Sequence, residues 1–228
     1  MKITVLTGAG ISAESGLRTF RADDGLWEDH RIEDVATPEG FARDPELVHR
    51  FYNERRRAAA AASPNPAHEA LAELARHTDL TLVTQNVDDL HERAGSRAVI
   101  HMHGALAGAL CARCDHRWPA PVEMLVSDTC PACGAPSTRP DIVWFGEIPY
   151  QMEEIWDAIE SSDIFAAIGT SGQVYPAGGF AQHARRRRVH TVELNLAVSA
   201  VSRDFAERIE GPASQVVPEW VRQIIARV

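Results

Sequence analysis

Five short apolar runs punctuate the chain: KITVLT at 2–7, DLTLVTQ at 79–85, AVIHMH at 98–103, DIFAAIG at 163–169 and HTVELN at 190–195. Segments of helical periodicity separate them, and strands that are apolar on both faces need cover above and below. The pattern predicts an α/β fold, a Rossmann-like doubly wound parallel sheet with helices on both sides. A length of 228 residues with a 45% hydrophobic share suffices for one large domain, or for a domain carrying a sub-domain.

Two helix starts are explicit. Asp44 caps and Pro45 opens one helix, and Asn65 with Pro66 repeats the device for PAHEALAELARH. In the first helix Leu47, Phe51 and Ala58 mark a core stripe, with Tyr52 and Arg55 paired beside it at i and i+3. From the residues alone that pair is either a solvated face or a grip on something negatively charged. AAAAA at 58–62 fills the end of the helix, and no internal repeat is present.

All four cysteines fall in one window, as Cys111-A-R-Cys114, fifteen residues, then Cys130-P-A-Cys133. Two CxxC knuckles at that spacing indicate a tetrahedral zinc site in a reducing compartment. Four thiolates fill the coordination shell, so the zinc is expected to be structural. The segment it closes has few large apolar residues, and metal binding supplies the missing folding free energy.

A formal net charge of −9 speaks against a nucleic-acid partner, and a zinc-ribbon nucleic-acid binder is the rival it disfavours. The dense basic run, Arg185 to Arg188, suits a solvated helix end. Without a signal-peptide pattern or an apolar span of about 18 residues, the expectation is a cytoplasmic protein with no membrane partner. Oligomeric state is left open, and a monomer fits.

After the first run comes Gly8-Ala9-Gly10-Ile11-Ser12-Ala13, which matches G-x-G-x-x-G/A opening a helix. Such glycines permit a tight turn and let backbone N–H groups approach a diphosphate. Gly169-Thr170-Ser171-Gly172 forms a second phosphate-sized turn after DIFAAIG, and Asn195 ends HTVELN where a ribose is often read. A dehydrogenase would next supply a strand ending in an acid about twenty residues on. LRTFRADDGLWEDHR is polar and loop-like instead, so the dinucleotide is expected to serve something other than hydride transfer.

GAGISAESGLRTFR (8–21), TQNVDDLHERAG (84–95), HMHGAL (101–106), the two CxxC knuckles, VWFGE (143–147) and GTS (169–171) occur in the order found in the sirtuins. The chain resembles that family of NAD-dependent protein-lysine deacylases over nearly its whole length. FYNERR and ATPEGF further resemble the branch that removes succinyl and malonyl groups.

The resemblance implies that NAD, as co-substrate, is surrounded by Gly8, Ala9, Gly10, Ala13, Phe20, Arg21, Trp27, Gln85, Asn86, Asp88, Gly169, Thr170, Ser171, Asn195 and Ala213. It implies His103 as the base, Val143, Phe145 and Gly146 as partners of the substrate backbone, and Tyr52 and Arg55 as holders of a distal carboxylate for which Ala36 leaves room. The acyl oxygen would attack the ribose at C1′, nicotinamide would leave, and 2′-O-acyl-ADP-ribose and free lysine would result.

The strand pattern independently selects His103. In AVIHMH, Ile100 and Met102 take one face while His101 and His103 take the other, and His103 sits at the strand end, where open α/β sheets bind ligands. His101 is read as structural. Asp88 and Asn86 are on pattern alone equally well explained as a helix cap and a turn former.

The expected unit is a single catalytic chain over 1–228. Its large domain takes about 1–22, 67–105 and 141–228, and its small domain a helical module at about 23–66 and a zinc module at about 106–140. Acylated-lysine proteins are the expected partners. A protein ADP-ribosyltransferase using the same NAD site and a plain lysine deacetylase are the alternatives.

Overall fold

The computed structural model describes residues 1–18, 27 and 29–228, and the backbone of Leu26. In chain order its elements are β1 (Lys2–Thr7), α1 (Ala9–Ala13), β2 (Leu26–Trp27), β3 (His30–Arg31), α2 (Ile32–Val35), α3 (Pro38–Arg43), α4 (Pro45–Ala61) and α5 (Pro66–His77). Then follow β4 (Asp79–Thr84), α6 (Leu90–Arg93), β5 (Val99–His101), β6 (Gly104–Cys111), β7 (Arg117–Pro119) and β8 (Thr138–Ile142). The chain closes with α7 (Met152–Ser161), β9 (Ile164–Ile168), α8 (Phe180–Arg186), β10 (His190–Asn195), β11 (Glu207–Glu210) and α9 (Ala213–Ile225).

Six strands make one parallel sheet in the order β11-β10-β9-β1-β4-β5. From central β1 the chain builds outward through β4 and β5, then returns to build the other way through β9, β10 and β11. The strand order therefore reverses between β1 and β9, which opens a crevice at the carboxyl ends of the strands.

Both faces of the sheet are covered, as the apolar runs require. Ile3, Val5, Leu82, Ala166, Val192 and Leu194 pack on Leu71 and Leu74 of α5 and on Val217, Trp220 and Ile224 of α9. On the other face Leu6, Val83, Ile100 and Phe165 meet Ile155 and Ile159 of α7 and Phe180 and Ala184 of α8. Burying each large side chain stabilises by about 1.5–3 kcal/mol.

A third core joins the helical module to the antiparallel sheet β7-β6-β8: Val35, Val48, Phe51 and Tyr52 pack on Leu106, Ile142 and Trp144. The caps read from sequence hold this module in place. The Asp44 carboxylate accepts from the Leu47 N–H at 2.9 Å, and the Asn65 side chain accepts from the Ala67 N–H at 2.9 Å.

Several expectations need adjustment. The buried stripe of α4 is Val48, Phe51, Tyr52 and Ala59, whereas Ala58 is exposed and Leu47 only partly buried. Because α4 is wedged between Trp27 and Phe41 on one side and β6 and β8 on another, its buried face is wider than a single stripe. Val143–Glu147 is a loop, tied down by N–H bonds from Val143 to the His103 carbonyl and from Phe145 to the Ala36 carbonyl, each 2.9 Å. The run AVIHMH is strand only over its middle, with Met102 and His103 turning into β6 through Gly104. There φ is +79°, and an added Cβ would lie 2.1 Å from the Asp141 carbonyl oxygen.

Candidate active site

A cavity of about 580 Å³ opens at the carboxyl ends of β1, β4, β9 and β10, at the crevice where the strand order reverses. One wall comes from the turns at 8–12, 85–88, 170–171 and 195–200. Residues of α4, the loop 143–147 and His103 also line the cavity.

His103 is placed by the turn into β6. Its Nδ1 lies 3.2 Å from the Gln85 carbonyl oxygen, which can only accept, so Nδ1 carries the proton and Nε2 keeps a lone pair. Burial pushes the ring below its usual pKa, partly offset by that carbonyl. The outcome is a neutral imidazole suited to accept a proton at Nε2 near neutral pH.

His101 differs in kind. Its Nδ1 faces the Asn86 carbonyl at 3.1 Å and its Nε2 faces Glu92 at 2.7 Å, so both nitrogens meet acceptors. Burial disfavours charge on this ring, but the Glu92 carboxylate, the Asn86 carbonyl and Asp88 outweigh it and hold the pKa above its usual value. These contacts tie the ring in place and favour its protonated form, which fits the structural role read from the sequence.

The glycines of the first turn line the cavity and also make a backbone contact that the motif does not describe. The Gly8 and Gly10 N–H groups donate to the carbonyls of Ile168 at 2.9 Å and Gly169 at 2.8 Å. A Cβ on Gly10 would lie 2.7 Å from the Gly169 Cα, and one on Gly169, itself at φ +61°, would lie 2.4 Å from the Ile11 nitrogen. The turns after β1 and β9 thus press backbone on backbone, and only glycine fits.

Polar side chains bind these turns together. Asn86 Nδ2 donates to the Gly8 carbonyl at 3.2 Å and to the Ser12 hydroxyl at 3.1 Å, and Gln85 Nε2 donates to Thr170 Oγ1 at 3.0 Å. Asn195 Nδ2 donates to the Thr170 carbonyl at 2.8 Å. Asp88 accepts from the Ser12 hydroxyl at 3.2 Å and from the Leu90 N–H at 3.1 Å, although the N-cap position of α6 belongs to Asp89. Burial pushes its carboxyl upward, opposed by those two donors.

Tyr52 and Arg55 both line the cavity, with Ala36 and Ala59 beside them. The Tyr52 ring is fully buried, and its phenol oxygen accepts from the Trp144 indole N–H at 3.0 Å. Arg55 is largely buried, its guanidinium 4.7 Å from the centre of the Phe51 ring and 3.7 Å from the exposed Glu54. A cation and a neutral phenol in one apolar recess can hold a carboxylate.

Trp27, Ala9, Ser171, Val143, Phe145 and Gly146 also line the cavity, whereas Ala13, Gly169 and Ala213 do not. Gly169 instead forms the backbone contact just described, and Ala213 starts α9 against the main core. Phe20 and Arg21 lie outside the described residues. Sequence reasoning missed Trp144 and the stretches 173–175 and 196–200. A tryptophan within an apolar run looks like ordinary core, and those stretches carry no motif.

The four cysteine sulfurs lie within 4.8 Å of one another, with Cys111 to Cys133 and Cys114 to Cys130 both at 3.7 Å. Tetrahedral zinc with Zn–S bonds of about 2.3 Å has S···S edges of about 3.8 Å, so this donor set fits the metal. The cysteines lie outside the cavity lining, which leaves the zinc a structural task.

A Sir2 family profile matches residues 8–176. Curated NAD-dependent protein deacylases resemble the chain closely. The one from Escherichia coli strain K12 is 56% identical over 229 residues, 98% of this chain and 82% of the relative. That from Yersinia pestis is 55% identical over 228 residues with the same coverage, and that from Caulobacter vibrioides 52% identical over 234 residues, covering 100% and 98%. Among solved structures, a Sir2 homologue bound to NAD matches at TM-score 0.88 and 39% identity, over 99% of this chain and 90% of that one. An ADP-ribose complex of a mutant Sir2 homologue matches at 0.91 and 39%, over 99% and 92%. With the reversed sheet, the cavity at its carboxyl ends and the cysteine quartet all in place, the chain belongs to the Sir2 family.

Proposed function

We propose that this chain is an NAD-dependent protein-lysine deacylase that prefers succinyl and malonyl groups, removes acetyl as a second activity, and yields nicotinamide, free lysine and 2′-O-acyl-ADP-ribose. The observation that carries the reading is the placement of Tyr52 and Arg55 in the wall of the cavity that also holds His103. The guanidinium offers a bidentate grip and the phenol a directed hydrogen bond, neither of which helps bind a methyl group.

In this reading NAD, which supplies the ribose carbon that accepts the acyl oxygen, occupies the wall formed by the strand-end turns, with Phe20 and Arg21 assigned to it as well. The acyl-lysine enters between α4 and the loop 143–147, whose backbone runs beside that of the substrate. His103 accepts a ribose hydroxyl proton at Nε2. The enzyme works in the cytoplasm on acylated proteins, consistent with a thiolate zinc site.

The test is kcat/KM with NAD on one peptide carrying succinyl-lysine or acetyl-lysine, with mass spectrometry of the nucleotide product. A higher value for succinyl-lysine together with 2′-O-succinyl-ADP-ribose supports the reading. Preference for acetyl-lysine overturns the acyl assignment, and ADP-ribose retained on protein overturns the reaction.

A further inference from the structure

We infer that Trp144 is a specificity-determining positioning residue, whose indole N–H fixes the Tyr52 phenol as a donor aimed into the acyl end of the cavity. The inference rests on the acidic-acyl reading above and adds the residue that gives the phenol its polarity.

An indole nitrogen can only donate. At 3.0 Å from Tyr52 Oη, the Trp144 N–H occupies an acceptor lobe of the phenol, whose single proton must point elsewhere. Both rings are buried, at 0% and 2% exposure, and Tyr52 lines the cavity. Among the described residues the phenol has no other hydrogen-bond partner. Its proton is therefore offered to whatever enters the recess, which selects an acceptor such as a carboxylate. Burial, despite the opposing Trp144 hydrogen bond, also raises the phenol's pKa, so that proton stays on.

The donor is held still by its surroundings. The Arg139 guanidinium lies 3.5 Å from the centre of the Trp144 ring. Glu147 grips that guanidinium through contacts of 2.7 and 2.9 Å and accepts from the Trp144 backbone N–H at 2.8 Å. Phe41 packs against the ring with centroids 5.2 Å apart. A donor fixed before the ligand arrives spares the ordering cost of binding.

The experiment compares wild type, Trp144→Phe, Tyr52→Phe and the double variant on succinyl-lysine and acetyl-lysine peptides, with KM and kcat determined separately. Loss of one oriented hydrogen bond should lower the succinyl-to-acetyl ratio of kcat/KM by about three- to tenfold in Trp144→Phe, mainly through KM. In the Tyr52→Phe background the same change should have no further effect on the ratio. Replacing Trp144 by benzothienylalanine, which keeps ring size but has sulfur in place of N–H, should reproduce the ratio change if phenylalanine disturbs folding. A ratio unchanged in Trp144→Phe while Tyr52→Phe lowers it overturns this inference alone. A ratio unchanged in Tyr52→Phe overturns both it and the acidic-acyl reading, and equal losses on the two substrates make Trp144 merely structural.

Discussion

Glu147→Gln should loosen the substrate side of the cavity while leaving every cavity-lining backbone atom in the chain. The Glu147 carboxylate accepts two bonds from Arg139, at 2.7 and 2.9 Å, and one from the Trp144 N–H at 2.8 Å. The Arg139 side chain is only 9% exposed and that of Glu147 is 31% exposed. Breaking a fully buried pair costs about 3–5 kcal/mol and an exposed one about 0–1. One buried and one partly wetted partner place this pair between those limits, at about 2 kcal/mol. For a chain of this size, that is about 4–8 °C in Tm. The Trp144 N–H would keep only a neutral amide oxygen, and loosening of the loop should raise peptide KM about fivefold. Burial opposes the Glu147 charge, but Arg139 and the Trp144 N–H outweigh it and hold the carboxyl below its usual pKa. The pair's contribution is thus complete above the unfolded value of about 4.3 and disappears as pH falls through the lower folded value. Thermal unfolding of both proteins between pH 3 and 8, with peptide KM at pH 7.5, provides the assay. A Tm difference under about 1 °C at neutral pH, or one that does not shrink in acid, refutes the reasoning.

Arg55→Met should lower the succinyl-to-acetyl ratio of kcat/KM by about ten- to 150-fold, the value of one hydrogen bond to a charged group; equal losses on both peptides would return Arg55 to a packing role. His103→Ala should lower kcat by about 10²–10⁴-fold. Because burial depresses the His103 pKa, the acid limb of kcat/KM in wild type should fall below pH ~6.5, and an inflection above that value would show that another group titrates. Zinc removal by a chelator should open residues 106–140 to protease and stop turnover until zinc is restored; full turnover after stoichiometric zinc loss would separate the metal from the site.

The parallel sheet was legible because its strands are apolar on both faces and flanked by capped helices, so Lys2–Thr7 and His190–Asn195 coincide with their runs. Edge strand β11, whose sequence is ERIE, was not, because it is largely exposed and carries no apolar run. In the cavity, His103 could be found from its place at the end of the run AVIHMH, although it lies in the turn beyond β5. The backbone contact of Gly8 and Gly10 could not, since its partner Gly169 lies far along the chain. Motif spacing describes neighbours in sequence, and the backbone contact is tertiary. The Tyr52 and Arg55 spacing placed both side chains near one another, yet whether they faced water or a cavity depended on Trp144 and Ile142, which arrive from another module.

β6 leaves His103 at Gly104 and ends at Cys111, while β8 starts at Thr138 and delivers the chain to Val143. The Val143 N–H then meets the His103 carbonyl at 2.9 Å, although forty positions separate the two residues. Holding such distant points together has an entropic cost that grows with the length of free chain between them. The cysteine quartet ties off that length at its far end, so the metal acts as a stitch: it shortens the effective loop that must close to seat His103 against the loop 143–147. Zinc can therefore influence how His103 meets Val143 from the opposite end of a strand pair, through the statistics of the chain between them.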